Sequence, residues 1–449
     1  MNRHQVPAAM FASMAAGNSG PDAVAWLAAA EYSRRLLFVR GVLIAARESA
    51  HSQYGWTRDA YDLLADIQHY AAEEVDAVLR YPPVGAWVGR TLLAQGIGQP
   101  SEHELSGGST ERTGAAVPAG LATVAGSAAI RSRFPCSIPV PVTEGVITFP
   151  SVGQAALPVR EGEALLRCGA DGAELVAGRF RLRIPDDTRT DVPGWRGLRQ
   201  ISAGPPGAAL RLVIDDLDPY RMWAPALATR LTRAEVSRWE SALGAAWKVL
   251  CAYHQAAAAE IAAATRVLVP LRPIDHGVRS VTSREHFGSV GISEPPDTVS
   301  LALALAHEVQ HTKLYALQNL TRLTRPDDGQ RYYAPWRDDP RPASGLLQGA
   351  YAYLGVSRFW RRQRHVAEGT AALVAHAEFA RWRSAVVSVT DGLLDSGRLT
   401  GDGHVLVSGM AAAARSWEEE PVPAEAESAA RRAAARHAAH WRVRNCPHR

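Results

Sequence analysis

Apolar residues recur at helical spacing through the first hundred positions. Between 23 and 47, Trp26, Leu27, Leu36, Leu37, Val39 and Leu43 stand among alanines and arginines, and 57–79 repeats the pattern. The spacing predicts a helical region over 1–98. A Gly-, Ser- and Glu-rich stretch, GQPSEHELSGGSTERTG, then predicts a loop or linker over 99–115. From 134 to 215 the pattern changes to short β-type runs (137–142, 145–149, 164–167, 180–184, 209–214) broken by Pro and Gly. These predict a β-rich, antiparallel region over 116–230. Helical spacing returns in 232–267, where Trp239, Leu243, Trp247 and Leu250 fall on one face.

The next segment, 231–415, predicts a helical region with one short strand, 287–292. Pro295 and Pro296 break the chain, and Asp297 is placed to cap a helix over 298–320. Prolines 326, 335, 340 and 342 mark an irregular stretch, followed by helices over 344–364 and 366–386. The tail, 416–449, begins polar (EEEPVPAEAE) and ends in a basic, Ala-rich helix whose usual role is a solvated face. The whole predicts an α+β fold, mainly helical, and not a cupin or jelly roll.

Composition narrows the function classes. The net charge of +4 on 449 residues gives no reason to expect a nucleic-acid or membrane partner. The basic charge is almost wholly arginine, with Lys248 and Lys313 the lysines. The four cysteines, Cys136, Cys168, Cys251 and Cys446, form no C-x-x-C pair, which argues against a zinc ribbon and for a reducing compartment. With no basic–apolar–small leader pattern and no run of about 20 apolar residues, a cytoplasmic location is expected.

The chemistry concentrates in His307-Glu308-Val309-Gln310-His311. Two histidines four apart on an α-helix share a face, one turn apart, so one divalent metal can take a nitrogen from each. Glu308 is turned about 100° around the axis and can address a bound water. The six residues before the motif are all apolar, so the helix delivers these polar groups to a buried place, where a metal removes the cost of burying them. Lys313 stands where zinc proteases usually carry an apolar residue. For a third ligand, Gln348 faces inward if Leu347, Tyr351 and Leu354 form a core stripe. His365, Glu368, His376 and Glu378 follow on the next helical segment, where a carboxylate would complete a zinc or an iron site. Between the motif and Gln348 lies YYAPWRDDPRP, 332–342. Its Tyr333, Arg337 and Arg341 suit a binding site for carboxylates, or a capping loop whose arginines pair with Asp338 and Asp339.

Several segments together carry a resemblance. HEVQHTKLYALQNL, YYAPWRDDPRPASGLLQGAYAYLGVSRFWR and FARWR, with AEYSRRLLFVRGVL, AAIRSRFPCSIPVPVTEGVITFPSVGQAALP and SREHFGSVGIS upstream, cover nearly the whole chain. The sequence resembles the bacterial H-E-x-x-H proteins encoded beside peptide-modifying enzymes, understood as iron-containing, 2-oxoglutarate-dependent peptide β-hydroxylases. The resemblance implies Fe(II) on His307 and His311, with Gln348 as third ligand and open positions for 2-oxoglutarate and O2. It also implies Arg337 or Arg341 on the distal carboxylate, with Tyr333 alongside, and Glu308 orienting a ligand or water. The implied partner is a ribosomally made precursor peptide, with a radical-type modifying enzyme encoded nearby. That peptide could pair with the strand at 287–292 by edge addition. Two other readings use the same residues. One is a zinc peptidase with Glu308 as general base, and the other is a non-catalytic peptide-binding partner of a modifying enzyme.

Overall fold

The computed structural model describes residues 5–98, 116–205, 209–222, 227–275 and 277–445. The predicted linker at 99–115 and Cys446 lie outside the described residues. The fold is α+β and mainly helical, with three sheets among the described residues and no closed barrel.

Five helices open the chain: α1 (Ala8–Ala15), α2 (Gly20–Glu48), α3 (Tyr54–Tyr70), α4 (Ala72–Leu79) and α5 (Pro82–Ala94). Proline at the start of α5 supplies a fixed φ where no helical N–H is needed. Helix α6 (Leu121–Ser132) follows and ends on Arg133 in the left-handed conformation (φ 54°). Two antiparallel sheets come next. One orders β1 (Cys136–Val142), β4 (Gly162–Gly169), β5 (Gly172–Ala177) and β6 (Phe180–Ile184); the other orders β2 (Val146–Phe149), β3 (Gly153–Ala156) and β7 (Trp195–Gly197). Their alternating burial, apolar side inward, is the period-two pattern the sequence carries. The inward residues, among them Ile138, Phe149 and Leu166, share one core with Leu64, Leu79 and Leu121 of the helices. Cys136 and Cys168 are register partners across β1 and β4, and both are free thiols.

The third sheet positions the site. It orders β11 (Ser280–Val281), β12 (Ser289–Ser293), β10 (Val267–Leu271), β9 (Leu210–Ile214) and β8 (Arg199–Ala203), with β10 parallel to both neighbours. Strands from either side of residue 230 therefore belong to one sheet. Between β9 and β10 run α7 (Arg233–Tyr253), opened by a Thr232/Glu235 capping box, and α8 (Gln255–Ala264). The single helical run expected over 232–267 is broken at His254, whose backbone (φ −128°, ψ 46°) leaves the helix.

Every residue of β10 and β12 is buried, as strands covered on both faces require. One expectation is corrected here. The strand at 287–292 is interior: β12 pairs with β10 along its length and with β11 through Gly291 and Ile292. Its edge at Gly291 and Ile292 is therefore not free for a peptide.

Past the proline break, Asp297 caps α9 (Thr298–Gln318), its Oδ1 accepting from Ser300 N at 2.8 Å. Helices α10 (Ala343–Gln363), α11 (Gly369–Asp395), α12 (Gly401–Arg415) and α13 (Ala424–Asn445) complete the chain. α9 packs on α10, and α10 on α11, around Leu314, Leu347, Tyr351, Leu354 and Phe379. Helix α11 starts at Gly369 rather than 366, so His365 and Glu368 precede it, and it runs on to Asp395. Among the described residues, no helix is long and apolar enough to cross a membrane.

Candidate metal centre

The apolar run 301–306 carries α9 into the core beside β10 and β12. One turn on, the two histidine rings converge. His307 Nε2 and His311 Nε2 lie 3.1 Å apart, with ring centroids at 4.8 Å. At metal–nitrogen distances of about 2.0–2.1 Å, nitrogens so spaced subtend ~95–100° at a shared ion, a normal angle between two histidine ligands. Burial, then the neighbouring His311, lowers the His307 pKa to about 4, so its imidazole is neutral and free to donate a lone pair.

Gln348 sets the other ring. Its Oε1 accepts from His311 Nδ1 at 3.1 Å, and its Nε2 donates to Gln318 Oε1 at 2.8 Å. A proton on Nδ1 leaves the His311 Nε2 lone pair facing His307. Gln348, the expected third ligand, thus places its oxygen at the His311 ring nitrogen away from the paired Nε2 atoms, where an amide orients a ligating ring.

Glu308 lies beside the pair with its side chain 4% exposed. Its Oε1 accepts from Ser280 Oγ of β11 at 2.6 Å and stands 3.8 Å from His307 Nε2. Its Oε2 is buried with no hydrogen-bond partner among the described residues. An unpaired buried carboxylate oxygen is costly and signals a missing cation or water. Two convergent imidazoles and this oxygen fit a divalent metal.

The other ligand candidates have partners or places of their own. His365 and His376 face each other at 6.2 Å between centroids, Glu378 Oε2 accepts from Trp382 Nε1 at 2.5 Å, and Glu368 is the residue before α11. Among the described residues no three His, Cys, Asp or Glu side chains come together as a metal-binding group.

The aromatic and arginine cluster is also rearranged. Arg337 Nε pairs with Asp339 Oδ1 at 2.7 Å and Arg341 Nη1 with Asp339 Oδ2 at 3.1 Å, the capping-loop arrangement. Tyr333 turns to α13, its hydroxyl 2.8 Å from His437 Nδ1. The residue that sequence reasoning missed is Tyr353. Its ring stands edge-on to His307 at 5.5 Å, stacks on Trp336 at 4.7 Å and meets Trp382 at 4.4 Å. Burial pushes its phenol up to about 12. Trp336, Tyr353, Arg381, Trp382 and His437 line a cleft of about 410 Å³, with Tyr353 as the wall it shares with the histidines. The one available signal was Tyr353's place on α10, flanking the Leu347–Tyr351–Leu354 stripe.

On the far flank of α9, Lys313 is fully buried, and its Nζ lies 2.7 Å from Glu260 Oε2. Glu260 Oε1 accepts from Ser19 N, Ser19 Oγ and Gly20 N, and Gln310 Nε2 stands 3.3 Å from Oε2. Lys313 therefore ties the motif helix to α8 and to the turn between α1 and α2. Charge complementarity replaces the expected apolar residue.

No model of a known protein family matches the sequence, and no curated protein is significantly similar to it.

Proposed function

We propose that this chain is an iron(II)- and 2-oxoglutarate-dependent hydroxylase acting on a β-carbon of a residue in a ribosomally made precursor peptide. The observation that carries the metal assignment is the 3.1 Å approach of His307 Nε2 and His311 Nε2, with Gln348 holding His311 in the tautomer that donates from Nε2. The choice of iron and 2-oxoglutarate rests on the segments that resemble peptide β-hydroxylases. Iron(II) bound with its cosubstrate and O2 supplies the oxidising chemistry.

The chain's own residues do the rest. His307 and His311 hold the ion and Gln348 fixes one ring. Glu308, itself held by Ser280, accepts a proton or a hydrogen bond from a metal-bound ligand. Trp336, Tyr353 and Trp382 form a contiguous aromatic cluster that restricts water on the His307 side.

The test is spectroscopic. Protein prepared without oxygen is loaded with Fe(II) and titrated with 2-oxoglutarate. A weak visible charge-transfer band, lost in His307→Ala, supports the reading. No band, with zinc retained through purification, overturns it in favour of a zinc peptidase. The buried, unpaired Glu308 Oε2 beside the histidines favours that second reading, because a general base for a metal-bound water needs such a place. Peptide cleavage by the zinc form is the assay that decides it.

A further inference from the structure

Arginines around the cleft differ in how their charge is used. Arg337 and Arg341 share Asp339. Arg364 pairs with Glu420, and Arg383 donates to the carbonyls of Trp417 and Glu420. Arg381, half-buried on α11, makes no ion pair or hydrogen bond with any described residue. Its guanidinium lies over the Trp382 ring at 4.2 Å. Stacking on an aromatic face holds a guanidinium in place while leaving its N–H fork free for a planar anion. Two of the nearby acids are engaged: Asp339 is held by the two loop arginines and Glu378 takes the Trp382 N–H, while Asp338, also on the cleft wall, lies 3.9 Å from His437 and Arg444 of α13.

A cation without a partner, at the lip of a cleft floored by three contiguous rings, is a built feature for one ligand chemistry. That chemistry is a carboxylate attached to a flat or aliphatic body. We propose that Arg381, rather than Arg337 or Arg341, is the carboxylate anchor of this cleft, and that the ligand body lies along Trp336, Tyr353 and Trp382. From the preceding function it takes only that the cleft serves the centre at His307. A small dicarboxylic acid and an acidic side chain of a peptide share this chemistry, and the test distinguishes them.

The test uses the full chain without metal, so that it stands or falls independently of the metal assignment. Tryptophan fluorescence, to which Trp336 and Trp382 contribute, follows titration with three probes. These are 2-oxoglutarate, a blocked tetrapeptide carrying one glutamate, and the same peptide with glutamine. The expected result is saturable binding of the glutamate peptide, about tenfold or more tighter than the glutamine peptide, as a charge-assisted pair requires. Arg381→Gln erases that preference, Arg381→Lys keeps part of it, and Arg337→Gln leaves it within about threefold. If only 2-oxoglutarate binds in an Arg381-dependent way, the anchor stands and its carboxylate is that of the small acid. Binding that is the same in Arg381→Gln and wild type, or no binding of any probe, overturns the proposal. A melting curve of Arg381→Lys and Arg381→Gln checks that the fold is kept.

Discussion

Gln348 and His311 are joined at the ring nitrogen that does not face His307: Oε1 sits 3.1 Å from Nδ1, while Nε2 of the same ring sits 3.1 Å from His307 Nε2. A glutamine that sets the tautomer and angle of a ligand is expected, when removed, to weaken metal binding without abolishing it, because the two imidazoles remain.

Replacement tests whether Gln348 supports the centre. Gln348→Leu is expected to weaken divalent-metal binding by about 10–100-fold, and Gln348→Glu to restore it, since a carboxylate accepts from Nδ1 at least as well. His311→Ala should abolish binding. Competition against a chromophoric chelator measures all three, and an unchanged affinity in Gln348→Leu would sink the orienting role.

The buried pair behind the motif is a stability prediction. Removing Lys313 leaves the Glu260 carboxylate, pinned by Ser19 and Gly20, without its cation in a water-free place. Lys313→Ala is expected to cost about 3–5 kcal/mol in urea unfolding. Glu260→Gln combined with Lys313→Met, which keeps an acceptor for the Ser19 and Gly20 donors, should cost clearly less than the single change. A loss under about 1 kcal/mol for Lys313→Ala would mean that the pair contributes little.

What was legible in the sequence follows the range of the interactions. The i, i+4 histidines, the Asp297 cap and the helix bounds near 298 and 343 are local, and they stand where spacing and capping chemistry put them. The contact between Gln348 and the His311 Nδ1 was not legible, because an inward-facing amide on that helix face can reach either an ion or a ring nitrogen. Tyr353 was hidden because its neighbours, His307, Trp336 and Trp382, come from three other segments. The interior place of β12 was hidden for the same reason. A buried run of five residues reads alike at an edge and in the middle of a sheet, and the two-residue β11 carries no pattern of its own.

Gly349 gives a case where helix propensity gives the wrong sign. Within a helix, Gly→Ala usually stabilises by about 0.5–1 kcal/mol. Here a Cβ at Gly349 would stand 2.3 Å from Trp336 Nε1. The indole, stacked on Tyr353, must move out of the cleft wall. Gly349→Ala is expected to lower the melting temperature and shift the tryptophan emission. A higher melting temperature with unchanged emission would show that the loop yields without cost.

Asp218, at the end of the β9 segment, gives a pH dependence. Burial and then Asp215 raise its carboxyl to about 8. Its Oδ1 accepts from Tyr220 N at 2.8 Å. A folded-state pKa above the unfolded value of about 3.9 means that the native state holds the extra proton, so this group's contribution to stability is full below that value and falls as pH rises toward 8. Asp218→Asn, which keeps the carbonyl acceptor, should be close to wild type at about pH 4 and below and increasingly more stable than wild type toward pH 8. Parallel stability curves for the two proteins across that range would show that Asp218 titrates normally.

Glu308→Gln distinguishes the two chemistries open to the centre. Its carboxylate stands next to the histidine pair, with one oxygen held by Ser280 and the other unpaired. In a zinc hydrolase that oxygen removes the proton from a metal-bound water. The amide cannot, and turnover should fall by about 10²–10⁴-fold with zinc still bound. In an oxygenase the proton inventory of the reacting carbon does not pass through Glu308, whose part is to orient a ligand by a hydrogen bond. Glu308→Gln retains an oxygen acceptor for Ser280, so hydroxylation should fall by no more than about tenfold and the Fe(II)–2-oxoglutarate absorption should persist. The measurement is product mass on a candidate peptide, a gain of one oxygen against a cleaved bond, read in wild type and variant side by side. A hydroxylation activity that vanishes in Glu308→Gln, with iron and 2-oxoglutarate still bound, would move Glu308 from an orienting residue to an essential proton carrier.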